Sequence, residues 1–190
     1  MEGGTMESYM NRISNTGIVP VVKILEKEDA YPLAKALLNG GIDVIEVTYR
    51  SEHATSAIQT ISEQLPDMLV GAGTVLSVEQ AKEAVEAGAK FIITPGFNTK
   101  VVQWCLDHDV EVYPGVSTAS EVEMALSMGL TQLKFFPAES SGGAKKLKDL
   151  SAPYANVHFM PTGGINTKNM HDYLSLPNVE AIGGSFMLPN

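Results

Sequence analysis

The sequence is poor in cysteine, in basic residues and in long apolar runs. Its single cysteine, Cys105, cannot form an internal disulfide. Lys and Arg number 13 against 22 Asp and Glu, which gives a net charge of −9 at pH 7. A nucleic-acid or anionic-membrane surface would need clustered basic residues, so the composition argues against both kinds of partner. With no basic-then-apolar leader and no run long enough to span a bilayer, we predict a cytoplasmic enzyme or binding protein.

Histidine is also scarce, and its positions do not suggest a metal centre. The four histidines lie far apart along the chain, and no pair or triplet has the spacing of a zinc site. We therefore predict no metal site. These histidines are His53, His108, His158 and His171.

The residues that are present form short β-rich runs that alternate with segments of helical periodicity. This alternation predicts an α/β protein with a parallel sheet, and eight runs favour a closed (β/α)₈ barrel, the TIM barrel, in a single domain over residues 1–190. The predicted strands are "IVPVVKI", "VIEVTYR", "MLVGAGTV", "FIITP", "VEVYPGVS", "QLKFFPA", "VHFMPTG" and "VEAIGGS".

The two ends of the chain carry separate expectations. A short helix at about 5–15 is predicted to cover the floor of the barrel. The sequence stops at "SFMLPN", just past the eighth strand, and its 190 residues fall below the usual lower size of roughly 200 for this fold. We therefore expect the eighth outer helix to be missing, as in a chain that lacks its C-terminal tail.

The stretch "TQLKFFPAES" places Lys134 inside an apolar strand. A buried ammonium loses its hydration, so the simplest explanation is that the side chain snorkels to solvent at the strand end. The alternative is functional, because a desolvated lysine tends to lose its proton and a neutral amine is a nucleophile.

Other polar residues lie on the same face of the predicted barrel. Alternation along "VIEVTYR" sends Ile45, Val47 and Tyr49 to the helix layer and the polar residues between them to the lumen. An ion pair between Glu46 and Lys134 is the structural alternative to an active site, but it leaves the other polar residues without a role. The residues predicted to converge at the carboxyl ends of the strands are Glu46, Arg50, Thr74, Lys134 and Thr162.

Two glycine pairs mark a further site. "PTGG" (161–164) follows the seventh predicted strand, and "IGGS" (182–185) ends the eighth. The loops after these two strands are the usual phosphate site of such barrels, because glycine lets backbone N–H groups approach an anion closely. Turn-forming glycine is the alternative, and the paired positions favour phosphate.

Seven motifs in order along the chain carry a family resemblance. "EVTYR", "GAGTV", "TPG", "PGVST", "KFFPAE", "PTGGI" and "IGGS" together closely resemble the 2-keto-3-deoxy-6-phosphogluconate (KDPG) aldolase family, which also covers 4-hydroxy-2-oxoglutarate (KHG) aldolases. The resemblance implies a homotrimeric (β/α)₈ class I aldolase that needs no metal or other cofactor. It also implies a phosphorylated 2-keto acid as substrate, with pyruvate and glyceraldehyde 3-phosphate as products.

The resemblance also implies roles for individual residues. Lys134 would form the Schiff base, and Glu46 would be the general acid and base. The substrate-binding set would be Arg50 and Thr74 at the carboxylate, Pro95 and Phe136 along the pocket, Thr162 in contact with substrate, and Gly163, Gly164, Gly184 and Ser185 at the phosphate.

The sequence leaves several alternatives open. A phosphosugar isomerase or epimerase, or a barrel that only binds phosphorylated ligands, would share the phosphate loops. Neither would need an imine-forming lysine within an apolar strand. Within the aldolase hypothesis, the preferred aldehyde and the stereochemistry at C4 stay open, and so does an enzyme of the phosphogalactonate type.

Overall fold

The computed structural model describes residues 8–189, which form an eight-stranded, all-parallel, nearly closed barrel. The predicted (β/α)₈ architecture is confirmed, and each predicted strand contains an observed one. The strands are β1 (Ile18–Val22), β2 (Val44–Thr48), β3 (Leu69–Gly73), β4 (Phe91–Thr94), β5 (Glu111–Val116), β6 (Gln132–Phe135), β7 (His158–Pro161) and β8 (Ile182–Gly184).

Helices alternate with the strands along the chain. The first helix precedes β1, and each later helix follows one of the strands β1 to β7. The helices are α1 (Tyr9–Thr16), α2 (Ala30–Asn39), α3 (Ala54–Gln64), α4 (Val78–Glu86), α5 (Thr99–Asp107), α6 (Ala119–Ser127), α7 (Gly143–Ser151) and α8 (Met170–Leu174). None of these helices is long and apolar enough to cross a bilayer.

The barrel closes between β7 and β8 by single bridges rather than by a continuous ladder. The sheet runs in the order β7-β6-β5-β4-β3-β2-β1-β8, and the seam is joined where Phe159 meets Val179 and Thr162 meets Gly183. Within residues 8–189, no helix follows β8, as the sequence predicted.

Short polar residues start several of the outer helices at the positions expected from capping chemistry. Ser77 accepts from the backbone N–H of Gln80 at the start of α4, and Asn98 caps α5. Thr118 and Glu121 form a reciprocal capping box at α6. Each cap accepts hydrogen bonds from backbone N–H groups that would otherwise be unpaired in the first turn of the helix. The caps therefore define where each loop ends and the following helix begins.

Helix α1 packs beneath the barrel, in the position predicted for the N-terminal helix. Met10 and Ile13 are buried among lumen residues of the strands, including Phe91. Arg12 holds the helix to the sheet through Asp43, with Nε 2.8 Å from Oδ2. The observed helix ends at Thr16, one residue beyond the predicted end at about position 15. Positions 5–7 of the predicted helix lie outside the described residues.

The walls of the barrel separate into an outer and an inner layer, as the alternation predicted. Ile45 and Val47 pack with residues of α2 and α3, and Leu133 packs with residues of α6 and α7. Val44 faces the lumen near the floor, in the cluster that contains α1. Glu46 and Lys134 share the inward orientation and lie nearer the carboxyl ends of their strands.

Candidate active site

Lys134 and Glu46 form a buried pair inside the barrel. Lys134 Nζ donates to Glu46 Oε1 at 3.3 Å, and the two side chains are 5% and 0% exposed. The snorkelling explanation of Lys134 is therefore wrong, because the ammonium end is enclosed. The ring of Phe136 lies over Nζ, with its centroid 5.2 Å away, and adds an apolar wall beside the amine.

The second carboxylate oxygen of Glu46 has no hydrogen-bond partner among residues 8–189, although it is buried. An unpaired buried carboxylate oxygen is costly, so its place in a native site calls for an explanation. A proton, a water molecule or a ligand hydroxyl would satisfy it. Glu46 can thus hold Lys134 with one oxygen and exchange a proton through the other.

Glycine on the neighbouring strand makes room for this carboxylate. Thr48 of β2 pairs with Gly73 of β3, so the end of β3 lies beside Glu46. A Cβ on Gly73 would lie 1.9 Å from Glu46 Oε1 and 2.5 Å from its Cγ. The close approach of side chain and backbone requires glycine at this position.

Arg50 lies just beyond the end of β2 and is held from below by Thr48. The Nε of Arg50 donates to Thr48 Oγ1 at 3.2 Å, and that hydroxyl donates in turn to the carbonyl oxygen of Val22 at 2.8 Å. Thr48 is fully buried, whereas Arg50 is exposed at the mouth. This hydrogen bond fixes one edge of the guanidinium. Within residues 8–189 the terminal nitrogens of Arg50 have no hydrogen-bond partner, so they can bind a carboxylate.

A cavity of about 190 Å³ opens at this end of the barrel, and Phe136, whose ring lies over Lys134 Nζ, is part of its lining. It brings together most of the predicted substrate-binding residues. Its lining includes Arg50, Phe136, Thr162, Gly163, Gly164, Gly184 and Ser185.

The loop after β7 supplies the part of this lining best suited to an anion. Gly163 and Gly164 have φ values of 108° and 76°, a backbone region that favours glycine. Thr162, immediately before them, is only 6% exposed, and its hydroxyl oxygen has no partner within the described residues. A Cβ on Gly183 would lie 2.3 Å from that hydroxyl, so glycine is needed there as well.

Two predicted residues lie at the same end of the barrel but outside this lining. Thr74 follows β3, next to β2, and has a φ of 52°, which is unusual for a β-branched residue and marks a strained position. Pro95 follows β4 and lines a neighbouring depression of about 480 Å³.

Sequence reasoning missed the residues that support the site rather than line it. Strand alternation turns Thr48 inward but gives it no role, and Gly73 enters the prediction only as part of the motif "GAGTV". The sequence contains a signal for each residue. In "EVTYR", Thr48 lies two residues before Arg50 and therefore on the same face of the strand. In "GAGTV", Gly73 ends a strand, where a glycine often marks the close approach of a neighbouring side chain.

The described residues contain no group of three or more His, Cys, Asp or Glu side chains that could hold a metal ion. The polar groups at the mouth are instead an amine, a carboxylate, a guanidinium and backbone amides. In barrels of this class, reactive groups are built at the carboxyl ends of the strands, so fold and site together define a (β/α)₈ enzyme.

The chain belongs to the KDPG and KHG aldolase family, whose model matches residues 9–190. The protein is therefore an aldolase, which is a lyase. A curated relative, the 2-dehydro-3-deoxy-phosphogluconate aldolase of Treponema pallidum, is 47% identical over 97% of this chain and 88% of its own. The isomerase, epimerase and pure binding alternatives are not favoured.

Solved structures of family members share the whole barrel. KDPG aldolase from Legionella pneumophila, with pyruvate captured at low pH as a covalent carbinolamine intermediate, is 42% identical and superposes with a TM-score of 0.93 over 97% of this chain and 89% of its own. The KDPG aldolase of Zymomonas mobilis with 3-phosphoglycerate is 37% identical, with a TM-score of 0.90 over 95% of this chain and 86% of its own.

Proposed function

We propose that the protein cleaves 2-keto-3-deoxy-6-phosphogluconate to pyruvate and glyceraldehyde 3-phosphate through a Schiff base on Lys134. It would also cleave 4-hydroxy-2-oxoglutarate to pyruvate and glyoxylate. The observation that carries the proposal is the enclosed Lys134–Glu46 pair at the carboxyl ends of the strands. The carbinolamine in the Legionella pneumophila relative supports amine chemistry on a pyruvate carbonyl in this family.

The environment of Lys134 supports its role as nucleophile. Imine formation needs a neutral amine. Nζ of Lys134 is enclosed beside Phe136, and Glu46 Oε1 lies 3.3 Å away, within reach of a proton that leaves the amine. Transfer of that proton from Nζ to Glu46 leaves a neutral amine that can attack a carbonyl carbon.

The reaction then follows from these groups. Lys134 Nζ attacks C2 of the keto acid to give a carbinolamine. Glu46 donates the proton it took from Nζ to the departing hydroxyl, so water leaves and a protonated imine forms. Glu46, now ionised, removes the proton of the C4 hydroxyl. The C3–C4 bond breaks with its electrons moving into the imine, which releases the aldehyde and leaves an enamine. Glu46 returns a proton to C3, and water then hydrolyses the imine to pyruvate and free Lys134.

The substrate carboxylate is assigned to Arg50 and Thr74. Arg50 presents a planar fork that matches a carboxylate, and Thr48 holds its Nε in place. Thr74 follows the strand beside Glu46, in its strained conformation. Pro95 and Phe136 would form apolar walls of the pocket, and Thr162 would use its unpaired hydroxyl on the substrate.

The phosphate is assigned to the glycine loops after β7 and β8. Gly163, Gly164, Gly184 and Ser185 line the same cavity as Arg50, so a substrate could span from carboxylate to phosphate across the mouth. Binding at the phosphate, far from the bond that breaks, can position the reacting carbon over Lys134. The 3-phosphoglycerate in the Zymomonas mobilis relative supports a phosphorylated ligand.

We further propose a cytoplasmic homotrimer. Six large apolar side chains are exposed among residues 8–189, and exposed apolar surface favours association. They are Leu25, Tyr31, Leu76, Leu106, Met124 and Leu126. Sedimentation or light scattering should give three times the chain mass of 20.4 kDa. A monomer at micromolar concentration would contradict the trimer without affecting the chemistry.

Steady-state assays test the proposed activity. Purified protein should release pyruvate from KDPG, and more slowly from KHG, in the presence of a chelator. Glyceraldehyde 3-phosphate should appear in equal amount with the pyruvate formed from KDPG. Absence of pyruvate release from both substrates would overturn the proposal.

A further inference from the structure

We infer that Tyr173 is a positioning residue that sets the preference for phosphorylated substrates by acting through Glu139 on the loop at Gly163 and Gly164. The inference rests on the proposed function, because it concerns the phosphate end of the same site. Tyr173 lies on α8 and does not line the cavity itself.

The contacts form a continuous path from α8 to the loop. The hydroxyl of Tyr173 donates to Glu139 Oε1. Glu139, in the turn after β6, donates its backbone N–H to the carbonyl oxygen of Gly163 at 3.1 Å. The preceding residue, Ala138, donates in the same way to Thr162 at 2.8 Å. The turn after β6 thus supports the start of the loop after β7, at Thr162 and Gly163.

The carbon stem of Glu139 fills the space beside Gly164. A Cβ on Gly164 would lie 2.7 Å from Glu139 Cγ and 2.8 Å from its Cβ. Asn169 holds the other side of the loop through a 3.0 Å hydrogen bond from Nδ2 to the carbonyl oxygen of Gly164. The loop is therefore clamped between Glu139 and the segment that starts α8.

Tyr173 determines where the carboxylate of Glu139 lies. The tyrosine is 1% exposed, and burial together with the Glu139 carboxylate raises the pKa of its hydroxyl, so it remains a donor at neutral pH. Glu139 itself is exposed apart from this contact. Without the tyrosine hydroxyl, the carboxylate could turn toward the loop, where its charge would oppose a bound phosphate.

The expected effect is confined to the phosphate end of the substrate. Lys134 and Glu46 lie on β6 and β2 within the barrel, and Arg50 is held by Thr48. None of these contacts involves Tyr173. Loss of its hydroxyl should therefore weaken binding of KDPG and leave binding of KHG, which has no phosphate, unchanged.

The test compares Tyr173→Phe with wild-type protein on both substrates. We expect KM for KDPG to rise about three- to tenfold, less than the full effect of a hydrogen bond to a charged group because the contact is made in the free enzyme as well, while kcat and KM for KHG change less than about twofold. Inhibition of KHG cleavage by inorganic phosphate should weaken by the same factor as KDPG binding. Tyr154→Phe is the matched control, because its hydroxyl donates to the exposed Glu123 at 2.9 Å, and it should leave both substrates unchanged.

Variants of Glu139 test whether Tyr173 acts through it. Glu139→Ala removes the charge but also the carbon stem that supports Gly164, so KM for KDPG should still rise, and adding Tyr173→Phe to it should have no further effect. Glu139→Gln keeps the carbon stem and an acceptor oxygen for Tyr173. Compared with Glu139→Ala, it should therefore restore most of the preference for KDPG over KHG. Equal changes for KDPG and KHG, additive effects in the double variant, or an unchanged KM for KDPG would overturn the inference. Pyruvate release by wild-type protein separates these outcomes from failure of the proposed function.

Discussion

Glu46 occupies the space that any side chain on Gly73 would need. A Cβ at position 73 would lie 1.9 Å from Glu46 Oε1, and the carboxylate cannot move away without leaving Lys134. The backbone of β3 thus limits where the Glu46 carboxylate can lie relative to the Lys134 amine.

Replacing Gly73 should therefore reduce catalysis by displacing Glu46. We expect Gly73→Ala to lower kcat by about tenfold to a hundredfold, because a displacement near 1 Å in a reacting group can cost that much. Gly96→Ala is the matched control, since a Cβ there meets no atom within 4 Å. Steady-state kinetics and thermal unfolding of both variants make the comparison. A fully active Gly73→Ala protein would show that the position of Glu46 is not critical.

Thr48 should affect substrate binding through Arg50. Thr48→Val keeps the shape but removes the hydroxyl that accepts from Arg50 Nε, so KM for both KDPG and KHG should rise about two- to tenfold. Thr48→Ser retains the hydroxyl and should stay near the wild-type value. If Thr48→Ser and Thr48→Val behaved alike, the hydrogen bond to Arg50 would have no functional part.

Negative charge at Ser185 should oppose phosphate binding. Ser185 lines the cavity with the glycine loops, so Ser185→Asp should raise KM for KDPG by charge repulsion, and inorganic phosphate or sulfate should compete with KDPG in wild-type protein. Ser185→Asn introduces a similar volume without charge and serves as the control. An unchanged KM in Ser185→Asp would remove the residue from the phosphate site.

Glu121 should contribute a pH-dependent part of the free energy of unfolding. Partial burial acts to raise the pKa of this carboxyl, but hydrogen bonds from Ser117 and Thr118 outweigh it and hold the pKa below its ordinary value of 4.5. A lowered pKa in the folded state means that the contribution is complete above pH 4.5 and is lost as the pH falls through the folded pKa.

Urea unfolding of Glu121→Gln tests this. At pH 7 the variant should be less stable by roughly 1 kcal/mol, because glutamine can still accept the capping hydrogen bonds but lacks the charge that strengthens them. The difference between wild type and variant should shrink as the pH is lowered below 4.5. A difference that stays constant over this range would contradict the assignment.

The fold and the inner face of the barrel could be predicted because they depend on local patterns. Alternation within "VIEVTYR" and "QLKFFPA" is enough to turn Glu46 and Lys134 inward, and the strand–helix order dictates a parallel barrel. The supporting contacts depend on residues far apart in the chain. Tyr173 meets Glu139 only after α8 folds back over the turn that follows β6, and no spacing in the sequence signals that contact.

The cavities near Thr74 and Pro95 also could not be predicted from the sequence. The positions of both residues at strand ends were predictable, but which cavity each strand end lines depends on the curvature and closure of the barrel. The positive φ of Thr74 has no signal in sequence, because β-branched residues rarely adopt it.

Borohydride trapping with pyruvate, followed by mapping of the modified peptide, tests the assignment of the Schiff base to Lys134 most directly. Wild-type protein should carry one pyruvate adduct on Lys134. Lys134→Arg keeps the positive charge but cannot form an imine, so it should carry none. Glu46→Gln keeps the amine, so it should still trap pyruvate while cleavage of KDPG falls by roughly 10²- to 10⁴-fold. Trapping in Lys134→Arg equal to that of wild type would place the Schiff base on another lysine and contradict the mechanism.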